Sequence, residues 1–289
     1  MVTDRISQTV TLPDERTLGF AEYGAHRGTP VIFFHGLPSC RLMHPSESVC
    51  SELNVRLVVP DRPGFGLSDP KPGRTLLDWS DDVSFLADRL GLETFGIAGS
   101  SGGAPFVAAT AFCLGSRVTH AAIMSGSGPV DGPGAMKGIA LERRIGYLLA
   151  RRFPKMFRWV LARRGNPQED VDKFFRMYTS HNPAPDQALF AQPEIRQMFL
   201  STFTEATRRG LEAFAYDVEL AARPWGFSLS DIAVPTSLWH GELDNITPLG
   251  MAEALERQIP NCTLRVIKGQ GHLLFLTHWR EILQDGLLR

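Results

Sequence analysis

Gly96-Ile97-Ala98-Gly99-Ser100-Ser101-Gly102-Gly103-Ala104 is the stretch that decides how this chain folds. A strand-like run, Thr94–Ala98, enters it and a helix-like run, Ala104–Leu114, leaves it. Ser101 therefore stands at a strand-to-helix bend in a G-x-S-x-G pattern, with Gly99 and Gly103 two residues to either side. A nucleophile at such a bend needs small neighbours, because the turn is tight and its side chain must stand clear of the backbone. The helix that follows aims its N-terminus at the hydroxyl, where its dipole favours developing negative charge. Alone the pattern is weak: the chain holds 27 glycines, and a glycine-rich turn can arise simply from close strand–helix packing. Its weight comes from its surroundings.

Upstream, Phe33-Phe34-His35-Gly36-Leu37-Pro38 ends an apolar strand and opens a loop. Acyl transfer needs two backbone N–H groups aimed at the tetrahedral oxyanion. Gly102, just after the serine, supplies one, and Leu37 is the natural second donor. His35 reads as a structural histidine bonded to nearby loop backbone rather than as a proton carrier. Downstream, Leu238-Trp239-His240-Gly241-Glu242-Leu243-Asp244-Asn245-Ile246-Thr247-Pro248 leaves a strand, and Gly269-Gln270-Gly271-His272 follows the last one. Ser101, Asp244 and His272 thus appear in the order nucleophile, acid, base. The hydroxyl needs a base at neutral pH, and the imidazole needs a carboxylate to fix its tautomer. Glu242 is the alternative acid, and Asp244 is preferred for its place before Thr247-Pro248. Ser100 reads as a turn residue. No histidine has the i, i+4 partner of a helical metal pair.

The apolar periodicity gives strands at Arg5–Leu12, Thr17–Tyr23, Val31–His35, Val55–Pro60, Thr94–Ala98 and Val118–Ser125, resuming at Thr236–His240 and Thr263–Ile267. Val31-Ile32-Phe33-Phe34 is continuously apolar, as in a parallel strand covered on both faces. Helices are expected at Thr75–Leu90, Leu249–Gln258 and His272–Leu287. The glycine- and proline-rich run from Gly126 to Gly138 reads as a loop or hinge. About ninety residues of helical pattern follow it, including an Asn166-Pro167 helix start.

Asp61-Arg62-Pro63-Gly64-Phe65-Gly66-Leu67-Ser68 adds a fourth ordered motif, similar to a D-x-P-G-x-G-x-S turn. With these four segments the chain resembles the α/β-hydrolase superfamily, as a serine esterase- or lipase-like member with a helical cap. The resemblance covers most of the chain apart from the insert. It implies an α/β fold with a mostly parallel central sheet flanked by helices. It also implies a core over 1–129 and 228–289, with a cap over 130–227 roofing the site.

Ser101 argues against the dehalogenases and epoxide hydrolases of that superfamily, which place aspartate at the bend. Tyr147, Tyr178 and Tyr216 then read as packing residues. The bend also lacks the G-G-S-W-G form of prolyl aminopeptidases. Leu37 stands where some relatives carry tryptophan, so nothing favours a peroxidase-like reaction. The expected activity is cleavage of a small or medium-sized carboxylic ester through an acyl-enzyme on Ser101, with no metal or organic cofactor. Thioester, lactone or carbon–carbon cleavage are variants on the same triad. A small-ligand sensor with residual hydrolysis is the alternative from another class. Phe153, Phe157 and Met198 would suit an acyl or aromatic substrate or simply hold the insert together.

A net charge of -1 and a pI near 6.7 give no global pull toward nucleic acid or an anionic membrane. No apolar run approaches the roughly 20 residues of a membrane span, and no signal peptide is expected at the start. The four scattered cysteines suggest reduced thiols in a cytoplasmic protein. Arg143, Arg144, Arg151, Arg152, Lys155, Arg158, Arg163 and Arg164 form a basic run against almost no acid. The bland reading is a solvated helix face, and the sharper one is a docking surface for an anionic carrier or head group. A weak membrane-surface contact is the third. The oligomeric state is open.

Overall fold

The computed structural model describes residues 5–131, 136, 138–163, 165 and 167–288. Its centre is one eight-stranded sheet: β1 (Gln8–Thr11), β2 (Thr17–Gly24), β3 (Thr29–Phe34), β4 (Val55–Pro60), β5 (Phe95–Ser100), β6 (Val118–Met124), β7 (Thr236–Gly241) and β8 (Cys262–Ile267). Their order across the sheet is β1-β2-β4-β3-β5-β6-β7-β8, with β1–β2 and β2–β4 antiparallel and every other pair parallel. The chain steps from β3 out to β4 and returns to the other side of β3 as β5. Order therefore reverses at β3, and a crevice opens beyond the carboxyl ends of β3 and β5, where sheets of this kind bind ligands. Phe34 pairs with Gly99, so the His35–Pro38 loop and the Ser101 turn leave the sheet side by side.

Strand β3 is buried because both its faces are covered. Ile32 and Phe34 enter a cluster with Val58, Ile97 and Trp79, while Val31 and Phe33 enter a second with Leu57, Ala98 and Trp279. Successive side chains of a strand point to opposite faces, so the continuous apolar run feeds two cores at once. The first face is covered by α2 (Asp78–Arg89), α3 (Ala104–Cys113) and, further along the sheet, α10 (Leu249–Gln258). Helix α2 starts on a reciprocal capping pair: the Thr75 amide donates to Asp78 Oδ2 at 2.7 Å, and the Asp78 amide to Thr75 Oγ1 at 3.3 Å. The second face meets α1 (Glu47–Glu52) and the C-terminal segments.

Between β6 and β7 lie α4 (Leu141–Arg152), α5 (Pro154–Arg163), α6 (Val171–Thr179), α7 (Ala184–Phe190), α8 (Pro193–Ala206) and α9 (Glu212–Ala221). In the described part of the glycine-rich run before them, Gly126 is packed against Ile123 and Ala104, and Gly128 against Met251. Residues 132–135 and 137 of that run, and Arg164 and Asn166, lie outside the described residues.

Three differences from the sequence expectations have local causes. The first strand is shorter than Arg5–Leu12, because pairing with β2 spans only Gln8 to Thr11. Helix α1 falls outside the expected elements, having only six residues and one buried side chain, Cys50. The expected helix His272–Leu287 breaks into α11 (Leu274–Thr277), α12 (Trp279–Ile282) and a wider π-type turn over Leu283–Leu287. His278 leaves helical geometry at φ -115° and ψ 20°, and Thr277 Oγ1 binds back to the Leu274 carbonyl at 3.1 Å. The break lets Trp279 drive into the core edge-on to Phe33, its indole N–H donating to Cys50 Sγ at 3.2 Å. Trp279→Ala should cost about 3–5 kcal/mol of unfolding free energy, measured by urea titration, and Trp279→Phe clearly less.

Candidate active site

Ser101 sits directly after β5 with φ +53°, a left-handed backbone that a non-glycine residue adopts only when its surroundings enforce it. The enforcement is close packing on both sides. A side chain at Gly99 would stand 2.6 Å from Val107 Cγ2, and one at Gly103 would stand 2.3 Å from the Phe34 carbonyl. The spacing of small residues in the motif is thus a steric requirement of the bend. A 3-10 turn over Ser101–Gly103 runs straight into α3. Gly36 abuts Ser101, with its missing side chain pointed at Ser101 Cβ, 3.4 Å away. Gly102 abuts Leu37, whose Cγ would lie 2.7 Å from a Cβ at position 102. The structure therefore brings Leu37 and Gly102, the two expected amide donors, into contact beside Ser101.

Asp244 and His272 meet from the ends of β7 and β8. His272 Nδ1 and Asp244 Oδ2 are 2.9 Å apart. Asp244 Oδ1 accepts from the amides of Ile246 and Thr247 at 2.9 and 3.0 Å, and Thr247 Oγ1 lies 2.8 Å from Oδ2. Burial would raise the Asp244 pKa, but the charge and hydrogen bond of His272, with His240 and Thr247, outweigh it and hold the carboxyl well below its ordinary range. Asp244 is consequently the ionised partner of the imidazole. Glu242 is exposed and turned away, accepting from the Gly269 amide at 3.1 Å. Ser101 and His272 line the same cleft, which encloses about 550 Å³ of empty space, part of it open to solvent. No hydrogen bond joins Ser101 Oγ to His272 among the described residues, and such contacts often tighten only once substrate is bound.

Four residues around this cleft have roles that the sequence reading does not assign. Asp186, on α7, accepts from the amides of His272 and Leu273 at 3.0 and 3.1 Å, so a carboxylate of the inserted helices holds the His272 backbone. Tyr178, on α6, donates its hydroxyl to the Leu37 carbonyl, more than the general packing expected of it. Arg62 is fully buried in the D-x-P-G-x-G-x-S turn and donates to the carbonyls of His35 and Gly36. It also pairs with Asp217 of α9 at 2.8 Å, and Asp217 is bonded to Arg74 as well. Nothing local in the sequence marks these contacts, since Asp186 and Asp217 meet partners 86 and 155 residues away. The rest of that turn is architectural: Asp61 accepts from the Arg41 and Leu67 amides at 2.6 and 2.9 Å.

Two further expectations are revised. The rings facing the cleft are Phe190, Phe199, Phe203 and Phe275, while Phe153 is exposed, Phe157 packs in a separate cluster with Val130 and Met251, and Met198 packs against the cluster that holds those rings without lining the cleft. The basic run is not uniformly solvated either. Arg143 lines the cleft, and Arg158 forms a two-pronged pair with Glu219 at 2.7 and 2.8 Å.

His35 behaves as a neutral structural group. Its Nε2 accepts from the Arg62 amide at 3.3 Å, leaving Nδ1 to donate to the Gly36 carbonyl at 3.0 Å. Burial, with the Arg62 charge beside it, pushes its pKa well below the ordinary value. The unfolded chain therefore takes up a proton below about pH 6.5 that the folded chain refuses, so stability falls as pH drops through that value. Half-buried His44 and buried His240 are lowered too and act with the same sign. Urea unfolding of the wild type and of His35→Gln across pH should differ in slope below about pH 6.5, the variant gaining less stability as pH rises through that window.

A family model described as the alpha/beta hydrolase fold matches residues 29–278. The chain is 25% identical to a non-heme chloroperoxidase of Streptomyces lividans over 97% of its own length and 98% of that protein's. It is 23% identical to a pimeloyl-[acyl-carrier protein] methyl ester esterase of Legionella pneumophila, covering 89% of this chain and 92% of the relative. Among solved structures, a thermophilic esterase from Thermogutta terrifontis with malate bound superposes with a TM-score of 0.61 at 27% identity, covering 96% of both chains. A sheet whose order reverses at β3, a serine in a left-handed bend beyond β5, and this family match over most of the chain agree: the protein belongs to the alpha/beta hydrolase fold family.

Proposed function

We propose that this chain is a serine hydrolase that cleaves carboxylic esters through an acyl-enzyme on Ser101. The observation that carries the reading is the 2.9 Å contact between His272 Nδ1 and the ionised Asp244, in the wall of the cleft that Ser101 lines. Asp244 accepts a hydrogen bond from Nδ1–H, which keeps that proton on Nδ1 and leaves the Nε2 lone pair facing the reaction. Ser101 Oγ attacks the ester carbonyl while its proton passes to His272 Nε2. The oxyanion accepts from the Leu37 and Gly102 amides, and the alcohol departs with the proton from Nε2. Water, deprotonated by the same nitrogen, then releases the acid and restores the serine.

The cleft favours an acyl group of short to medium length, since phenyl rings line it and its volume is modest. The esterase relative and the esterase structure support ester cleavage over other chemistry of the family. The chloroperoxidase likeness carries less weight, because Leu37 occupies the position at which some relatives carry tryptophan.

A fluorophosphonate should label the protein once, at Ser101, as read by peptide mapping, and label at another residue would sink the assignment. Asp244→Asn should lower kcat by roughly 10⁴-fold with little change in KM on a p-nitrophenyl ester, while Glu242→Gln stays within about twofold. The reverse pattern would transfer the acid role to Glu242.

A further inference from the structure

Eleven large apolar side chains are exposed among the described residues, and six of them fall within α4, α5 and their junction: Leu141, Ile145, Leu148, Phe153, Met156 and Trp159. This is not random scatter over a surface. Leu141, Ile145 and Leu148 recur at i, i+4 and i+7, forming one outward stripe of α4, whereas Ala150 and Tyr147 turn inward to pack on Val130, Ile139 and Met251. On α5, Met156 and Trp159 face outward and Leu161 is buried. Trp159 is 56% exposed, whereas the other four tryptophans are each at most 7% exposed.

Cations share this face. The two helices hold seven arginines and lysines and a single acid, Glu142. Arg158 is spent on Glu219, but Arg151, Arg152 and Lys155 are exposed and meet no carboxylate among the described residues. Arg163 lies over the Trp159 ring at 3.6 Å. The overall net charge of -1 conceals this segregation.

We propose that the outer face of α4 and α5 is a peripheral docking surface for an anionic lipid bilayer. Exposed tryptophan, phenylalanine and leucine interleaved with arginine and lysine suit the boundary between head groups and acyl chains, where each side-chain type finds its preferred solvent. A second copy of this chain is a poor occupant, because a two-fold contact would oppose cation with cation. An acidic protein would satisfy the cations but offers no reason for a bulky apolar stripe alongside them. The proposal goes beyond the ester-hydrolase reading and does not depend on it, since adsorption needs no turnover.

The test uses the full chain carrying Ser101→Ala, so that no lipid is consumed. Co-sedimentation compares vesicles of phosphatidylcholine with vesicles containing one-third phosphatidylglycerol. Binding to the anionic vesicles should be at least tenfold tighter and should weaken as salt is raised. Tryptophan emission should shift to the blue on binding, and Trp159→Phe should abolish the shift, because Trp159 is the one exposed indole. Combined Arg151→Glu, Arg152→Glu and Lys155→Glu should remove binding while leaving the melting curve and turnover of a soluble ester by the Ser101-containing protein unchanged. Equal binding to neutral vesicles, or none to either, would overturn the proposal. So would binding of an acidic carrier protein without vesicle binding, or a dimer dispersed by Phe153→Glu.

Discussion

The Arg62 guanidinium is wholly enclosed by protein, and a buried charge left without partners would cost several kcal/mol. Its surroundings are built to prevent that. Asp217 comes from α9 to neutralise it, the carbonyls of His35 and Gly36 accept two of its hydrogen bonds, and the rings of Phe106 and Phe65 lie against its plane. Those partners belong to four parts of the chain: the loop after β3, Arg62's own turn, the start of α3 and the inserted helices. One side chain in the turn after β4 thereby fixes where the insert sits and how the loop ahead of Leu37 runs. Because Asp217 also binds Arg74, both guanidinium groups and the carboxylate form one buried cluster in which each charge depends on the others.

The inserted helices are consequently part of the framework around the proposed triad. Tyr178 holds the Leu37 carbonyl, Asp186 holds the amides of His272 and Leu273, and Asn245 Nδ2 donates to the His181 carbonyl at 2.8 Å. Each contact joins an inserted helix or its connecting turn to a loop at the carboxyl edge of the sheet. Backbone that carries proposed catalytic groups is thus positioned from above as well as from below. Displacing these helices would free the His272 loop and the Leu37 loop together, which couples the geometry of the two.

The placement of Asp244 shows the same economy. Its carboxylate accepts from two amides and from His272, and lies 2.8 Å from the Thr247 hydroxyl, which also reaches the Ser125 carbonyl at 2.9 Å. Exposed Glu242, two residues earlier, has no such nest and accepts instead from the Gly269 amide. The position before Thr247-Pro248 mattered because Thr247 supplies an amide and a hydroxyl that hold the carboxylate.

The sequence by itself determined the central sheet and the proposed catalytic positions, because both rest on short-range rules. Val31–Phe34 had to be a strand buried on both faces, and Gly99, Ser101 and Gly103 could form a tight bend only with small residues at that spacing. The break at His278, the short helix α1 and the rings that face the cleft were not legible, since local periodicity is blind to which neighbour a side chain meets. Arg62 and Asp186 illustrate the same limit: one sits in a recognisable turn and the other at the start of an ordinary helix, with nothing nearby to mark either. Only the tertiary structure decided their partners, because a buried charge or an unpaired amide is satisfied by whatever folding brings within hydrogen-bonding reach of it, however far away in the chain.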